Sequence, residues 1–336
     1  MKGSSEGERP RRKLSELVDT VALLLESRNP AAVPEGVHHT LPPHLPKTLW
    51  TELGDAIKEA ERPCASSIAG ERFITLRLDG TGFSKFIPRL RKAGLLEAQG
   101  YSKTFADIMK ECAVTVMKQF KGVCCYTQSD EMTIVIKPAS VAGRPPVQQP
   151  HMYNGRVSKL TSLAAATATA TFCRRLFEVA AELGIDPPSQ SELPTFDCRI
   201  GSYATGREAI GLLLWRAYDC GVNGVSDAVH HAGKGAEGRK QTMTKGTLEK
   251  LQWLAQRGIL PLPPHQAHGA FFVQCKRESG EGFNPKTGEA TGPTIRSAVE
   301  AVPGNLLIRA SEAVRGQDDD RGLMALLEFP NPGSVC

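Results

Sequence analysis

The chain has 336 residues, 40% of them hydrophobic and 23% charged, with a formal net charge of +5. That length suits one large domain with appendages or two domains, and the mild cationic excess is compatible with a polyanionic partner without requiring one. Nine cysteines with no C-x-x-C pair argue against a disulfide framework or structural zinc, and no apolar run reaches bilayer length, so an intracellular, cytoplasmic or mitochondrial setting with no membrane partner is expected.

In chain order, residues 1–13 are polar, and Leu14, Leu17, Val18, Val21, Ala22, Leu24 and Leu25 space out one short amphipathic helix. Pro30 to Pro46 reads as a proline-rich connection, which makes 1–48 an extension and starts the ordered fold near Leu49. Arg72 to Leu78 alternates as a strand, with Ile74, Leu76 and Leu78 on one face and Phe73, Thr75, Arg77 and Asp79 on the other, expected to be the wetter one. Tyr101, Phe105, Ile108, Met109, Cys112, Val116 and Phe120 recur at helical spacing until Gly122. Val123–Gln128 and Met132–Lys137 form a hairpin across a short acidic turn, and Pro138 to Pro150 is a loop.

A second helix is expected over about 158–183, with Leu163, Ala166, Ala170, Cys173, Phe177 and Ala180 as its core stripe. Thr195–Tyr203 follows as a strand. A helix over about 207–231 is weakened by Gly211, Gly221 and Gly224, and Thr247–Gln256 adds one more helical stretch. Beyond 276, Pro285, Gly288, Gly292 and Pro293 suggest an extension that is at least partly loop. The order β-α-β-β-α-β over 72–203 is that of an α+β ferredoxin-like sheet, the architecture of the polymerase palm. The palm and its C-terminal helices are thus expected over 49–275.

Fold alone does not assign function, and the carboxylates carry that burden. If the strands adjoin, Asp79 and Asp130 converge as ligands for two Mg²⁺ ions, with Glu131 a further candidate and the Gly80 carbonyl a backbone ligand. The competing reading is a hairpin turn with solvated acids. Gly80-Thr81-Gly82-Phe83 leaves the strand with two glycines that let backbone N–H groups approach a phosphate, or it is a simple turn. Arg156, Ser158 and Lys159 open the helix after the hairpin, where cations and a helix N-terminus suit phosphate; solvated surface cations are the alternative. Trp215 suits a core position as well as a stacking platform. Arg216 and Asn223 are candidates for RNA contact, as is Lys245 in a basic, Gly-rich segment with His230, His231, Lys234, Arg239 and Lys240. Asp318-Asp319-Asp320 reads as a solvated turn.

These motifs, in order, resemble the tRNA-His guanylyltransferase family: Arg77-Leu78-Asp79-Gly80-x-Gly-Phe, Gln128-Ser129-Asp130-Glu131, Arg156-x-Ser158-Lys159-Leu160, Phe196-Asp197-x-Arg199, Trp215-Arg216-x-x-Asp219-Cys220 and Lys245-Gly246-Thr247. The resemblance spans roughly 72–275. It implies a palm enzyme that adds nucleotides to a tRNA 5′ end in the 3′-to-5′ direction, with magnesium, nucleoside triphosphates, ATP or GTP activation of the 5′ end, and a homotetrameric assembly. By it, Asp79, Gly80 and Asp130 bind metal and Glu131 completes the acidic motif. Gly82, Phe83, Ser129, Arg156 and Lys159 cradle the nucleotide, with Thr81 and Ser158 in the same motifs.

Two departures refine the expectation. Where the family carries a Lys-Pro-Asn-Asp-like stretch, this chain reads Leu95 to Lys103 without it, and in place of a His-Ile-Asn-Asn-like run it has Gly221-Val222-Asn223-Gly224. Without that imidazole, the histidine anticodon loses a reader. The resemblance is therefore strongest to the guanylyltransferase-like branch that repairs truncated 5′ ends by base-paired templating. A guanylyltransferase specific for tRNA-His, a palm-type nucleotide cyclase, and a catalytically silent RNA-binding subunit are the alternatives.

Overall fold

The structure is a computed structural model that describes residues 12–26, 46–60, 67–140, 149–233, 236–283 and 286–314. Most of the expected linker at 30–46, the middle of the 138–150 loop, Lys234, Pro285 and the Asp318-Asp319-Asp320 run lie outside the described residues. Two helices, α1 (Leu14–Glu26) and α2 (Lys47–Ala60), precede strand β1 (Phe73–Thr81). Helices α3 (Phe83–Lys92) and α4 (Lys103–Gln119) follow, then the hairpin β2 (Cys124–Gln128) and β3 (Glu131–Ile136). The long helix α5 (Val157–Leu183) leads to β4 (Thr195–Tyr203) and a second long helix, α6 (Gly206–Ala232). Short helices α7 (Ala236–Thr244), α8 (Thr247–Ala255) and α9 (Pro264–Ala267) come next. Strands β5 (Ala270–Phe283) and β6 (Ala290–Val302) and helix α10 (Leu306–Val314) complete the described chain.

One sheet holds all six strands in the order β4-β1-β3-β2-β5-β6, and every pairing is antiparallel. The first four places are the ferredoxin-like order that the β-α-β-β-α-β reading requires. The expected β1, β2–β3 hairpin and β4 form as read. Beyond the palm, β5 and β6 extend the sheet as a hairpin with two register shifts near Gly280 and Gly282. Gly292 and Pro293, read as loop residues, lie inside β6, an edge strand where a missing N–H donor is tolerated.

Both sheet faces are covered. Ile74, Leu76 and Leu78 pack with α3, α4 and α5 in one apolar core, and Tyr126, Val135 and Tyr203 pack with α1, α2, α6 and α10 in another. The expectation of a wetter face for Thr75, Arg77 and Asp79 is corrected: Thr75 and Arg77 are buried, because α6 lies over that side. There the Arg77 guanidinium sits 5.4 Å from the Trp215 ring centroid. Leu17, Val18 and Val21 of α1 join this second core rather than standing apart from the domain.

Two helices differ from their sequence reading for physical reasons. The buried stripe of α5 is Leu160, Ala164, Ala168, Phe172, Leu176 and Val179, whereas Ala166, Ala170 and Phe177 are exposed. Residues 164–171 consist only of Ala and Thr, alternating from Ala166 on, so no apolar contrast marks a face. The glycines of α6 do not break it. A Cβ at Gly211 would meet Val18 at 2.7 Å and one at Gly224 would meet the Gln266 carbonyl at 2.2 Å, so each glycine admits a close neighbour. Among the described residues no helix is long and apolar enough to cross a membrane.

At the centre of the first core, Phe172 packs edge-on or tilted against Phe83, Phe86, Phe105 and Phe196, with ring centroids 5.2–6.3 Å apart. Truncating it leaves a cavity that four rings cannot collapse into. Phe172→Ala is expected to cost about 3–5 kcal/mol in urea-induced unfolding. A loss below about 1 kcal/mol would show that the cluster is not packed as described.

Candidate active site

The acidic turn is held from several sides. Gln128 pairs with Glu131 across the hairpin, and the Thr127 hydroxyl donates to the Glu131 carbonyl at 2.8 Å. The Gln128 amide is buried and donates to the Gln266 carbonyl at 2.5 Å, while Gly269 brings its backbone so close to Thr127 that a Cβ would lie 2.3 Å from the Thr127 oxygen. Between them Ser129 adopts φ 54°, a left-handed conformation rarely taken by a non-glycine residue and of the kind that surrounding structure must enforce. Its hydroxyl lies 3.1 Å from Asp130 Oδ1.

Strand β1 brings the other half. Asp79 pairs in register with Glu131 on β3 and with Asp197 on β4, and the Gly80 N–H donates to the Asp130 carbonyl at 3.0 Å. Burial holds both Asp79 and Asp130 above the usual carboxylate range. Asp197 pushes Asp79 further up while Arg199, Arg216 and Arg77 pull it back; Asp79 in turn pushes Asp130 up against its own backbone N–H and the Ser129 hydroxyl. A cation bound beside these two half-buried carboxylates would favour the ionised form of both. Asp197, which faces Asp79 in register, belongs to a motif visible in the sequence but its role there had no local signal.

Glu131 is engaged elsewhere. Its carboxylate is bridged by Arg216 of α6, which is 5% exposed and also donates to Asp219 at 3.1 Å. Arg216 additionally lies 4.8 Å from the Trp215 ring centroid. The expected RNA contact by Arg216 is thus corrected: a buried guanidinium spanning two carboxylates has no surface left to offer RNA. Beside it, burial pushes the Cys220 thiol up to about 11, so it stays neutral.

The phosphate-loop candidates divide in two. Phe83 is 2% exposed and its ring belongs to the core, so any contact it makes with a nucleotide comes from its backbone. A Cβ on Gly80 would meet that ring at 2.3 Å, which accounts for the first glycine by packing. Gly82 is different. It takes φ 75° as the N-cap of α3 without a side-chain cap, and a Cβ there would meet nothing within 4 Å, so the start of α3 opens to free space. Thr81 is exposed beside it. Arg156, Ser158 and Lys159 are exposed at the start of α5, which also lacks a side-chain cap. The turn before it runs through left-handed Tyr153, Asn154 and Gly155. Asn223 is exposed on α6 and Lys245 is half-buried between α7 and α8.

Among the described residues no three His, Cys, Asp or Glu side chains form a cluster that holds a metal alone. That donor set still fits Mg²⁺, which characteristically takes one or two carboxylates and draws its remaining oxygens from water and substrate phosphates. Asp79 and Asp130, with a backbone carbonyl at Gly80, meet that description.

Residues 54–204 match the family model described as Thg1, tRNAHis guanylyltransferase. An uncharacterised protein of Acanthamoeba polyphaga mimivirus is 28% identical over 189 residues, covering 53% of this chain and 62% of the relative. The tRNA(His) guanylyltransferase of Neurospora crassa is 27% identical over 168 residues, covering 50% of each. The chain therefore spans about half to 62% of the curated relatives it matches. The crystal structure of the tRNA(His) guanylyltransferase from Saccharomyces cerevisiae shares the fold, with a TM-score of 0.51 at 19% identity over 63% of this chain and 90% of that one.

Two outcomes follow from the site's electrostatics. Arg216→Met leaves the partly buried Glu131 without its counter-charge and is expected to cost about 3–5 kcal/mol in urea unfolding. Adding Glu131→Gln should recover most of that loss; no recovery would mean the pair is not coupled. The native Asp130 carboxyl, held above its ordinary range, binds a proton more readily than the unfolded one, so its contribution to stability is lost as pH rises through the native pKa. Without Mg²⁺ at pH 7, Asp130→Asn is expected to melt higher than the parent, with the gap closing below about pH 4. A lower melting temperature at pH 7 would contradict this.

Proposed function

We propose, from the match of residues 54–204 to the tRNAHis guanylyltransferase family model, that this chain is a nucleotidyltransferase that adds nucleotides 3′-to-5′ to the 5′ end of tRNA. The observation that carries the reading is the pair Asp79 and Asp130, held beside the open, glycine-capped start of α3. Asp79, Asp130 and the Gly80 carbonyl would hold Mg²⁺, expected as two ions. When bound, Mg²⁺ neutralises the triphosphate and activates the attacking hydroxyl.

The chain's own groups do the rest. Backbone N–H groups at the first turn of α3, freed by the missing Cβ of Gly82, bind phosphate oxygens with the positive end of the helix dipole behind them. Thr81 and Ser129 supply hydroxyls at the same edge. Arg156, Ser158 and Lys159, at the uncapped start of α5, supply a second phosphate contact for the nucleotide. Glu131 acts through Arg216: with its charge neutralised, it fixes the turn that carries Asp130. The nucleotide substrates are ATP or GTP for activating the 5′ end, and the added nucleotide is selected by pairing with the opposite strand. Templating is favoured over recognition of the histidine anticodon because Gly221-Val222-Asn223-Gly224 offers no imidazole. Asn223 and Lys245 are the remaining candidates for RNA contact, and the assembly is a homotetramer. The seven cysteines among the described residues are all free, which suits a reducing cytoplasmic or mitochondrial setting.

The test is incubation with Mg²⁺, ATP, labelled nucleotides and a 5′-truncated tRNA. Extension opposite the template strand is expected on 5′-monophosphate and 5′-triphosphate ends, and Asp79→Ala and Asp130→Ala should each lower it about a thousandfold, the weight of several kcal/mol of charge stabilisation. Failure to extend either end, or RNA-independent conversion of the triphosphate instead, would overturn the assignment.

A further inference from the structure

Helix α3 carries a second feature that the phosphate loop does not use. Its apolar side, Phe83, Phe86 and Leu90, is buried. Its other side presents Lys85, Arg89 and Lys92, all exposed, at spacings of four and three residues that place them on one face. The helix contains no acidic residue, and none of the three forms an ion pair with a described residue. Arg89 helps to lower the Glu192 carboxyl, after the Ser189 side-chain and backbone hydrogen bonds. Arg91 is set apart from them: it donates to the Gly100 carbonyl at 2.5 Å and so serves the fold.

Helix stability does not explain the stripe. Cations in the last turn complement the helix dipole, which accounts for Arg89 and Lys92, but Lys85 lies in the first turn, where the dipole disfavours a positive charge. A cation tolerated there, one residue past Ser84 and three past Gly82, points outward to a polyanion. From Lys85 to Lys92 the helix rises about 10 Å, a length over which a duplex carries about three phosphates on each strand. An acidic protein surface would satisfy the charges equally. RNA is favoured because the stripe begins at the glycine-capped helix start, where the substrate triphosphate is already assigned.

We propose that Lys85, Arg89 and Lys92 form the track along which the RNA phosphate backbone enters the site. This rests on the tRNA reading above.

The experiment measures binding of a labelled tRNA to the full chain across a salt series, for the parent, for Lys85→Gln/Arg89→Gln/Lys92→Gln, and for the charge-conserving Lys85→Arg/Lys92→Arg. The neutralised variant is expected to bind at least about tenfold more weakly near 0.1 M salt, and the slope of log affinity against log salt should fall by about two to three, near 0.7–0.9 for each lost phosphate contact. The charge-conserving variant should keep the parent slope. Exposed substitutions of this kind shift stability by less than about 0.5 kcal/mol, so melting should be unchanged. If the triple variant does not fold, Arg89→Gln and Lys92→Gln taken singly should each lower the slope by about 0.7–0.9.

An unchanged slope in a variant of a chain that binds and extends tRNA would overturn the track alone. A parent that binds no tRNA would overturn the RNA reading and the track with it. Displacement of tRNA by polyglutamate at equal charge concentration would reassign the stripe to an acidic protein partner and overturn the proposal.

Discussion

The hydrogen bond from the Gly80 N–H to the Asp130 carbonyl, 3.0 Å long, is the constraint on which the site depends. It ties the last residues of β1 to the β2–β3 turn in a register where Asp79 faces Glu131. Side chains alternate along a strand, so a slip of one residue would send Asp79 to the opposite face, into the phenylalanine core around Phe83 and Phe172. Apolar cores on both sides of the sheet make that slip expensive, and the position of one carboxylate is thereby fixed by the packing of the whole domain.

Charge around this point is arranged asymmetrically. Of five carboxylates around the end of β1, Arg216 takes up Glu131 and Asp219, and Arg199 lies 3.8 Å from Asp197. Asp79 and Asp130 are left without an ion pair among the described residues; burial raises both, Asp197 pushes Asp79 further up, and Asp79 does the same to Asp130. A fold selected only for stability would have paired or removed them. Under the proposed function a bound cation would offset the cost of leaving them unpaired, a local conflict of the kind functional sites carry.

Much of this was legible in the sequence, and the misses have causes. Strand alternation and the acidic turn located β1, β2, β3 and β4, and the two carboxylates stand at strand ends where the motif spacing put them. Helix α3 has no clear signal in the sequence, since Gly82 precedes it and Pro88 lies within it. The nucleotide contact of Phe83 rests on the family resemblance alone, and only the three-dimensional meeting of five aromatic rings shows that its side chain goes to the core. Arg216 looked like a surface cation because its partner Glu131 is 85 residues away. The face of α5 was misread by a near-uniform Ala/Thr run, and the β5–β6 hairpin was hidden by glycines and a proline that an edge strand tolerates.

The most direct test of the account is a count of Mn²⁺ bound per chain by electron paramagnetic resonance, with GTP present and no RNA. The parent is expected to bind two ions, and Asp79→Asn and Asp130→Asn are each expected to bind one or none. A count that stays the same in either variant would contradict the claim that these two carboxylates, joined by the β1–β3 register, make the metal site.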